Sequence, residues 1–188
     1  MNLSVDFLGY KMKNPVAAAS GTFGFGYEFA EFYDINVLGS LSLKGTTKEA
    51  RYGNPLPRIA ECPSGLINAI GLQNPGVEKV ISEEIPRLAT VYDGKVIANV
   101  GGHSVEEYVY TASRFNDCDK VFAIELNISC PNVKGGGMAF GTDAKIAQSL
   151  VYSVKKIVKK PLMVKLSPNV TDIADMARAV ADGGADAV

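Results

Sequence analysis

Cysteine and histidine are scarce in this chain, and each shortage closes off a class of chemistry. The three cysteines, Cys62, Cys118 and Cys130, are odd in number and form no CxxC pair. They read as free thiols of a reducing cytoplasm, not as a disulfide frame or a zinc site, and no metal is expected. His103 is the only histidine. An excess of either charge is also lacking: 19 Lys and Arg stand against 20 Asp and Glu, a net charge of -1. Without a basic cluster, nucleic acid is not expected as a partner. No apolar run approaches the ~20 residues that cross a bilayer. The start, Met1-Asn-Leu-Ser-Val-Asp6, has neither the basic nor the apolar region of a signal peptide. A soluble cytoplasmic protein with no membrane partner is expected.

What the chain does have is apolar residues in short, regularly spaced runs. Its 188 residues are 47% hydrophobic, enough for one core, and a single domain over 1–188 is expected. Strands are predicted at Val16–Ala19, Leu41–Lys44, Val96–Val100, Phe122–Asn127 and Leu162–Leu166, with a sixth beginning at Ala187-Val188. Their near-continuous hydrophobicity fits parallel strands covered on both faces. Ser4–Leu8 and Lys11–Asn14, around Gly9-Tyr10, predict a leading hairpin.

Helical patterns fill the intervals. Ser104-Val-Glu-Glu107 is a capping box, followed by Tyr108, Val109, Ala112 and Phe115 on one face. Ala147, Leu150, Val151, Val154 and Val158 form a second stripe with lysines at its C-terminal end. Thr171 is positioned to cap a third helix, through Ile173, Met176, Ala177 and Val180, that stops at Gly183-Gly184.

Repeated strand–helix order gives a (β/α)8 barrel or a doubly wound sheet. A dinucleotide-binding sheet carries G-x-G-x-x-G after its first strand and an acid after its second. Here Ser20-Gly-Thr-Phe-Gly-Phe-Gly26 has the wrong glycine spacing and the second strand ends in Lys44. The barrel fits better, and it explains why Ser20, Lys44, Asn99, Asn127 and Lys165 all fall at strand ends, the catalytic face of that fold. A whole barrel takes about 250 residues. The chain is therefore read as an incomplete α/β TIM barrel, with about the first five βα units behind the hairpin.

The strongest chemical lead is Asn127-Ile-Ser-Cys-Pro-Asn132, which ends the apolar run Val121-Phe-Ala-Ile-Glu-Leu126. Two readings of Cys130 stand: a small buried thiol, or a general base or nucleophile at the rim. Asn68, Asn127 and Asn132 can each read a planar ring of alternating N–H and C=O groups, or simply satisfy loop backbone. Lys44 and Lys165 either meet an anionic ligand or snorkel to the rim. The long connection from Gly45 to Gly76 reads as an ordered binding loop. The glycine loop at 135–137 reads as a lid over Cys130. His103 is either a base for Cys130, as in a cysteine hydrolase, or a residue leading into the capped helix.

Asn127-Ile-Ser-Cys-Pro-Asn-Val, Ser20-Gly-Thr-Phe-Gly, Lys44-Gly-Thr-Thr and Asn68-Ala-Ile-Gly-Leu-Gln-Asn-Pro together resemble the class 1 dihydroorotate dehydrogenases. Val133–Gly141, followed by Thr-Asp, resembles the NAD-linked class 1B branch more than the fumarate-linked one. The resemblance implies an FMN enzyme that oxidises dihydroorotate to orotate in pyrimidine (UMP) synthesis. Cys130 would take a proton from C5 as the C6 hydride passes to flavin N5. That role needs a thiolate, which Lys44 or a closed lid would favour. The implied substrate contacts are Lys44, Asn68, Ala69, Ile70, Gly71, Leu72, Asn127 and Asn132. The implied FMN contacts are Ser20, Gly21, Lys44, Gly45, Asn99, Asn127 and Lys165. The implied partner is an iron–sulfur flavoprotein subunit carrying FAD and an iron–sulfur cluster, in a heterotetramer that passes electrons to NAD+. A further substrate asparagine and the FMN phosphate site would come from later strands, so the 188 residues alone are expected to be inactive.

Overall fold

The structure is a computed structural model that describes residues 2–129 and 140–188. The chain opens with β1 (Val5–Phe7) and β2 (Tyr10–Met12), an antiparallel pair in which Phe7 faces Tyr10. The two-residue turn puts Leu8 at φ 53° and Gly9 at φ 76°, the left-handed pair that matches the twist of a tight hairpin. The Asp6 carboxylate accepts from the Gly9 amide at 3.2 Å. Phe7 and Tyr10 pack on the Phe122 ring, with centroids 6.4 and 4.6 Å away. The hairpin thus closes one end of the sheet.

The parallel passes follow in order. β3 (Ala17–Ala18) pairs with β4 (Ser40–Leu41). Beyond β4, Ser42 and Thr46 bridge in parallel to Ile97 and Val100. These two lie in β7 (Val96–Val100), which pairs with β8 (Val121–Asn127), and β8 pairs with β9 (Leu162–Lys165). Met163 in turn bridges Ala187. Six passes therefore lie side by side and parallel, at the predicted positions. The first two are shorter as regular strands than expected.

Alternate strand residues face opposite sides. Val96, Ala98, Val100, Ile124 and Leu126 are buried with the helices, while Asn99, Glu125, Asn127, Met163 and Lys165 face the inside of the curve. The helices are α3 (Val105–Arg114), α4 (Ala144–Lys155) and α5 (Ile173–Asp182), preceded by α1 (Val77–Lys79) and α2 (Ile85–Ala89). Tyr108, Ala112, Leu150, Val151, Val154, Met176 and Val180 are the buried residues of their apolar faces. Between α1 and α2, Val80–Glu84 widens into a π-helical turn. Pro86, which has no N–H to donate, is the second residue beyond it.

Three details differ from expectation. Ser104 caps α3 by accepting from the Glu107 amide at 3.3 Å, but Glu107 reaches past the cap and accepts from the His103 amide at 2.8 Å. The cap of α5 is Asp172, not Thr171: its Oδ1 accepts from the amides of Ala174 and Asp175 at 2.7 and 3.4 Å. The Gly45–Gly76 connection contains an unpredicted exposed hairpin, β5 (Ile59–Cys62) with β6 (Gly65–Asn68). Among the described residues, no helix is long and apolar enough to cross a membrane.

Candidate functional site

At the C-terminal ends of the parallel passes a cleft of about 250 Å3 is lined by Ser20, Gly21, Lys44, Gly45, Asn68, Ile70, Gly71, Leu72, Asn127, Ser129 and Lys165. Five separate chain segments meet there. Ser20 follows β3, Lys44 and Gly45 follow β4, Asn127 ends β8, Lys165 ends β9, and 68–72 arrive from the exposed hairpin. Cys130, Asn132 and the glycine loop at 135–137 lie outside the described residues.

Ser20 is buried, and Lys165 Nζ donates to its Oγ at 3.5 Å. The Lys44 backbone is pinned, its amide donating to the Gly24 carbonyl at 2.8 Å and its carbonyl accepting from Thr46 Oγ1 at 3.1 Å. Asn99 does not line the cleft; it is fully buried beneath it. Its Nδ2 donates to Glu125, and its Oδ1 accepts from Asn127 Nδ2 at 3.3 Å. Asn127 Oδ1 accepts from the Ser129 amide and hydroxyl at 3.3 and 3.0 Å. The Asn127 carbonyl accepts from Tyr108 Oη at 2.7 Å, tying the strand end to α3.

The 68–76 segment is shaped by one buried asparagine. Asn74 Oδ1 accepts from the Thr47 and Gly76 amides at 3.1 and 3.0 Å, while Nδ2 donates to the Leu72 carbonyl at 2.8 Å. That grip holds Leu72 at φ 57°, a left-handed conformation costing an ordinary residue about 1–2 kcal/mol. The Leu72 side chain is thereby pressed onto the backbone at Gly45. A Cβ on Gly45 would stand 2.7 Å from Leu72 Cδ1 and 2.9 Å from Asn99 Oδ1. Any larger residue at this position would force Leu72 or Asn99 to shift. Ala69 does not line the cleft, and its backbone is engaged elsewhere: its amide donates to the Arg58 carbonyl at 2.9 Å and its carbonyl accepts from Asn54 Nδ2 at 2.8 Å.

Beside this cleft a second one of about 430 Å3 shares Lys44 and adds Tyr27, Arg51, Tyr52, Lys79 and Glu84. Burial, and then the hydrogen bond it donates to Glu84 at 2.7 Å, push the Tyr27 hydroxyl up to about 12. His103 leads into α3, as one of its two readings had it, and its ring meets the Arg51 guanidinium. Sequence reasoning missed Glu125 and Ser129 as parts of the site. The visible signal was a lone carboxylate in an apolar strand, two residues before Asn127 and so on the same face.

The donor set suits a flat ring with an alternating amide edge: two ammonium groups, a serine hydroxyl, Asn127 and a bare glycine floor at Gly21 and Gly45. An FMN isoalloxazine or a pyrimidinedione fits that description. The second asparagine, Asn99, acts from below.

The sequence profile of the family described as dihydroorotate dehydrogenase matches residues 2–188. The catalytic subunit of dihydroorotate dehydrogenase B (NAD(+)) from Anoxybacillus flavithermus is 57% identical over 184 residues, covering 98% of this chain and 59% of that protein. The corresponding subunit from Fusobacterium nucleatum is 55% identical, covering 98% of this chain and 60% of its own length. The chain thus spans about three-fifths of the relatives it matches. In structure it is similar to the dihydroorotate dehydrogenase of Eimeria tenella solved with ferulenol, with a TM-score of 0.78 and 20% identity over 98% of this chain and 58% of that one. That likeness assigns the TIM-barrel fold.

Proposed function

This chain belongs to the dihydroorotate dehydrogenase family, and on that premise we propose that it supplies the FMN and substrate cleft of an NAD-linked dihydroorotate dehydrogenase. The reaction is oxidation of dihydroorotate to orotate in pyrimidine biosynthesis, in the cytoplasm. In this reading the chain contributes the first five βα units of the barrel and the start of the sixth strand. The observation that carries it is the convergence of Ser20, Lys44, Asn127 and Lys165 on one cleft.

FMN, when bound, supplies the two-electron acceptor. Ser20, Gly21, Lys44, Gly45, Asn127 and Lys165 hold it, with Asn99 behind Asn127. The two ammonium groups balance negative charge on the ligands. Asn68, the 70–72 backbone, Asn127 and Asn132 hold the substrate ring, and Lys44 and Asn127 are shared between the two. Cys130 takes the proton from substrate C5. The partner is an iron–sulfur flavoprotein subunit with FAD and an iron–sulfur cluster, assembled as a heterotetramer. The NAD-linked subtype is favoured by relatives of that name at 54–57% identity. The cysteine hydrolase reading has less support, because the family match and the relatives at 54–57% identity are dihydroorotate dehydrogenases.

The test is orotate formation by the enzyme carrying this chain, with its partner subunit, using NAD+ or fumarate as acceptor. Turnover with NAD+ is expected. Turnover with fumarate alone contradicts the subtype, and no orotate with either contradicts the function.

A further inference from the structure

One buried carboxylate beside the cleft has no part in the chemistry above. Glu125 lies in the middle of β8, 8% exposed, and with Ser42, Ile97 and Met163 it lines a cavity of about 510 Å3 on the hairpin side of the barrel. Its Oε1 accepts from Asn99 Nδ2 and, at 3.3 Å, from Ser42 Oγ. The charged groups of the cleft above it are Lys44 and Lys165.

A carboxamide has two nearly equivalent ways round, and its neighbours decide between them. A carboxylate accepts hydrogen bonds and, when ionised, donates none. Glu125 Oε1 accepts from Asn99 Nδ2 as well as from Ser42 Oγ, so Asn99 presents its Nδ2 downward and its Oδ1 upward. That oxygen accepts from Asn127 Nδ2, so Asn127 is turned with its own oxygen toward Ser129, whose amide and hydroxyl occupy both lone pairs. Asn127 keeps one N–H for a ligand and no acceptor. It can meet a ring carbonyl but not a ring N–H.

We propose that Glu125 is a positioning residue that sets the donor polarity of Asn99 and Asn127, making Asn127 a donor toward a ring carbonyl in the cleft. The identity of that ring rests on the FMN and dihydroorotate reading above. The chain of hydrogen bonds that orients the amides does not.

The test is Glu125→Gln, which keeps the shape but offers an amide that accepts or donates, so that Asn99 is free to turn. Two readouts separate the proposal from the functional reading. The first is side-chain amide exchange of Asn99 and Asn127 by nitrogen-15 NMR on the FMN-free enzyme: slow in the wild type and fast in the variant. The second is FMN affinity by quenching of flavin fluorescence, expected to weaken tenfold or more with a shifted flavin absorption spectrum. Amide exchange unchanged by the substitution overturns the proposal, as does altered exchange with unaltered FMN affinity. A wild type with protected amides that binds no FMN instead overturns the functional reading. If Glu125→Gln fails to fold, pairing it with Asn99→Asp restores a donor against an acceptor and still lets position 99 accept from Asn127. Recovery of the fold and of slow Asn127 exchange in the pair supports the proposal, and failure to recover contradicts it.

Discussion

Lys165 Nζ lies 3.5 Å from Ser20 Oγ, although 145 residues separate them in the chain. β3 and β9 are not neighbours in the sheet; β4, β7 and β8 lie between them. The contact therefore crosses the mouth of the curved sheet, and it brings an ammonium group to the floor where Gly21 leaves room.

Replacing Lys165 should weaken the cleft as an anion site without unfolding the barrel. A hydrogen bond to a charged group contributes about 1.5–3 kcal/mol. Lys165→Ala should then lower FMN affinity by about 10- to 100-fold. Fluorescence titration checks this, and an unchanged dissociation constant contradicts the assignment.

Cys130 should govern the proton-transfer step alone. General-base catalysis contributes about 10²- to 10⁴-fold, so Cys130→Ala should lower kcat by at least about 100-fold. FMN affinity should stay within about twofold of wild type, because the thiol is proposed to meet substrate and not flavin. Steady-state kinetics beside flavin titration reads both, and a parallel loss of flavin would give Cys130 a structural role.

The helical layer should show the ordinary cost of a core void. Leu150 is fully buried on α4, and Leu150→Ala should cost about 2–5 kcal/mol. Asp172→Ala, which removes both capping contacts of α5, should cost about 1 kcal/mol. Urea denaturation measures both, and a larger effect at Asp172 than at Leu150 would contradict the packing described.

Acid should loosen the end of the sheet at Asp186. Burial works to raise this carboxyl, but the Leu162 amide at 2.7 Å and the Lys155 ammonium at 2.5 Å overcome it and hold the group below its ordinary value. A depressed carboxyl stabilises the fold above the unfolded value, near pH 4, and that contribution fades as pH falls through the folded one. The pair is partly exposed, so the effect is about 1 kcal/mol or less. Asp186→Asn should flatten the loss of stability below pH about 4, measured as melting temperature against pH. A wild-type slope retained in the variant contradicts this role.

The barrel was legible because its strands are buried on both faces, so the runs at Val96–Val100 and Val121–Leu126 had to be almost wholly apolar. β5 and β6 were not legible: all eight of their residues are exposed, and no buried face imposes a period on them. The cap of α5 was misread by one residue. Thr171 and Asp172 are both good caps, and the choice depends on the register that buries Met176 and Val180. Apart from Ser129, the residues that line the cleft could be read from polar groups at strand ends and from motif resemblance. The role of Glu125 could not, because its partner Asn99 lies 26 residues away, and only the parallel register of β7 and β8, which sets Asn99 opposite Glu125, makes them meet. Asn74 shows the reverse case. It stands in a motif that suggested ligand contact, yet it clamps Thr47, Leu72 and Gly76.

The most direct measurement is anaerobic mixing of dihydroorotate with the FMN-loaded enzyme that carries this chain, following the visible absorbance of the bound flavin. The account predicts rapid bleaching with stoichiometric orotate in the wild type, and bleaching slowed by at least about 100-fold in Cys130→Ala. A wild-type enzyme that holds FMN but keeps its colour in excess dihydroorotate would contradict it.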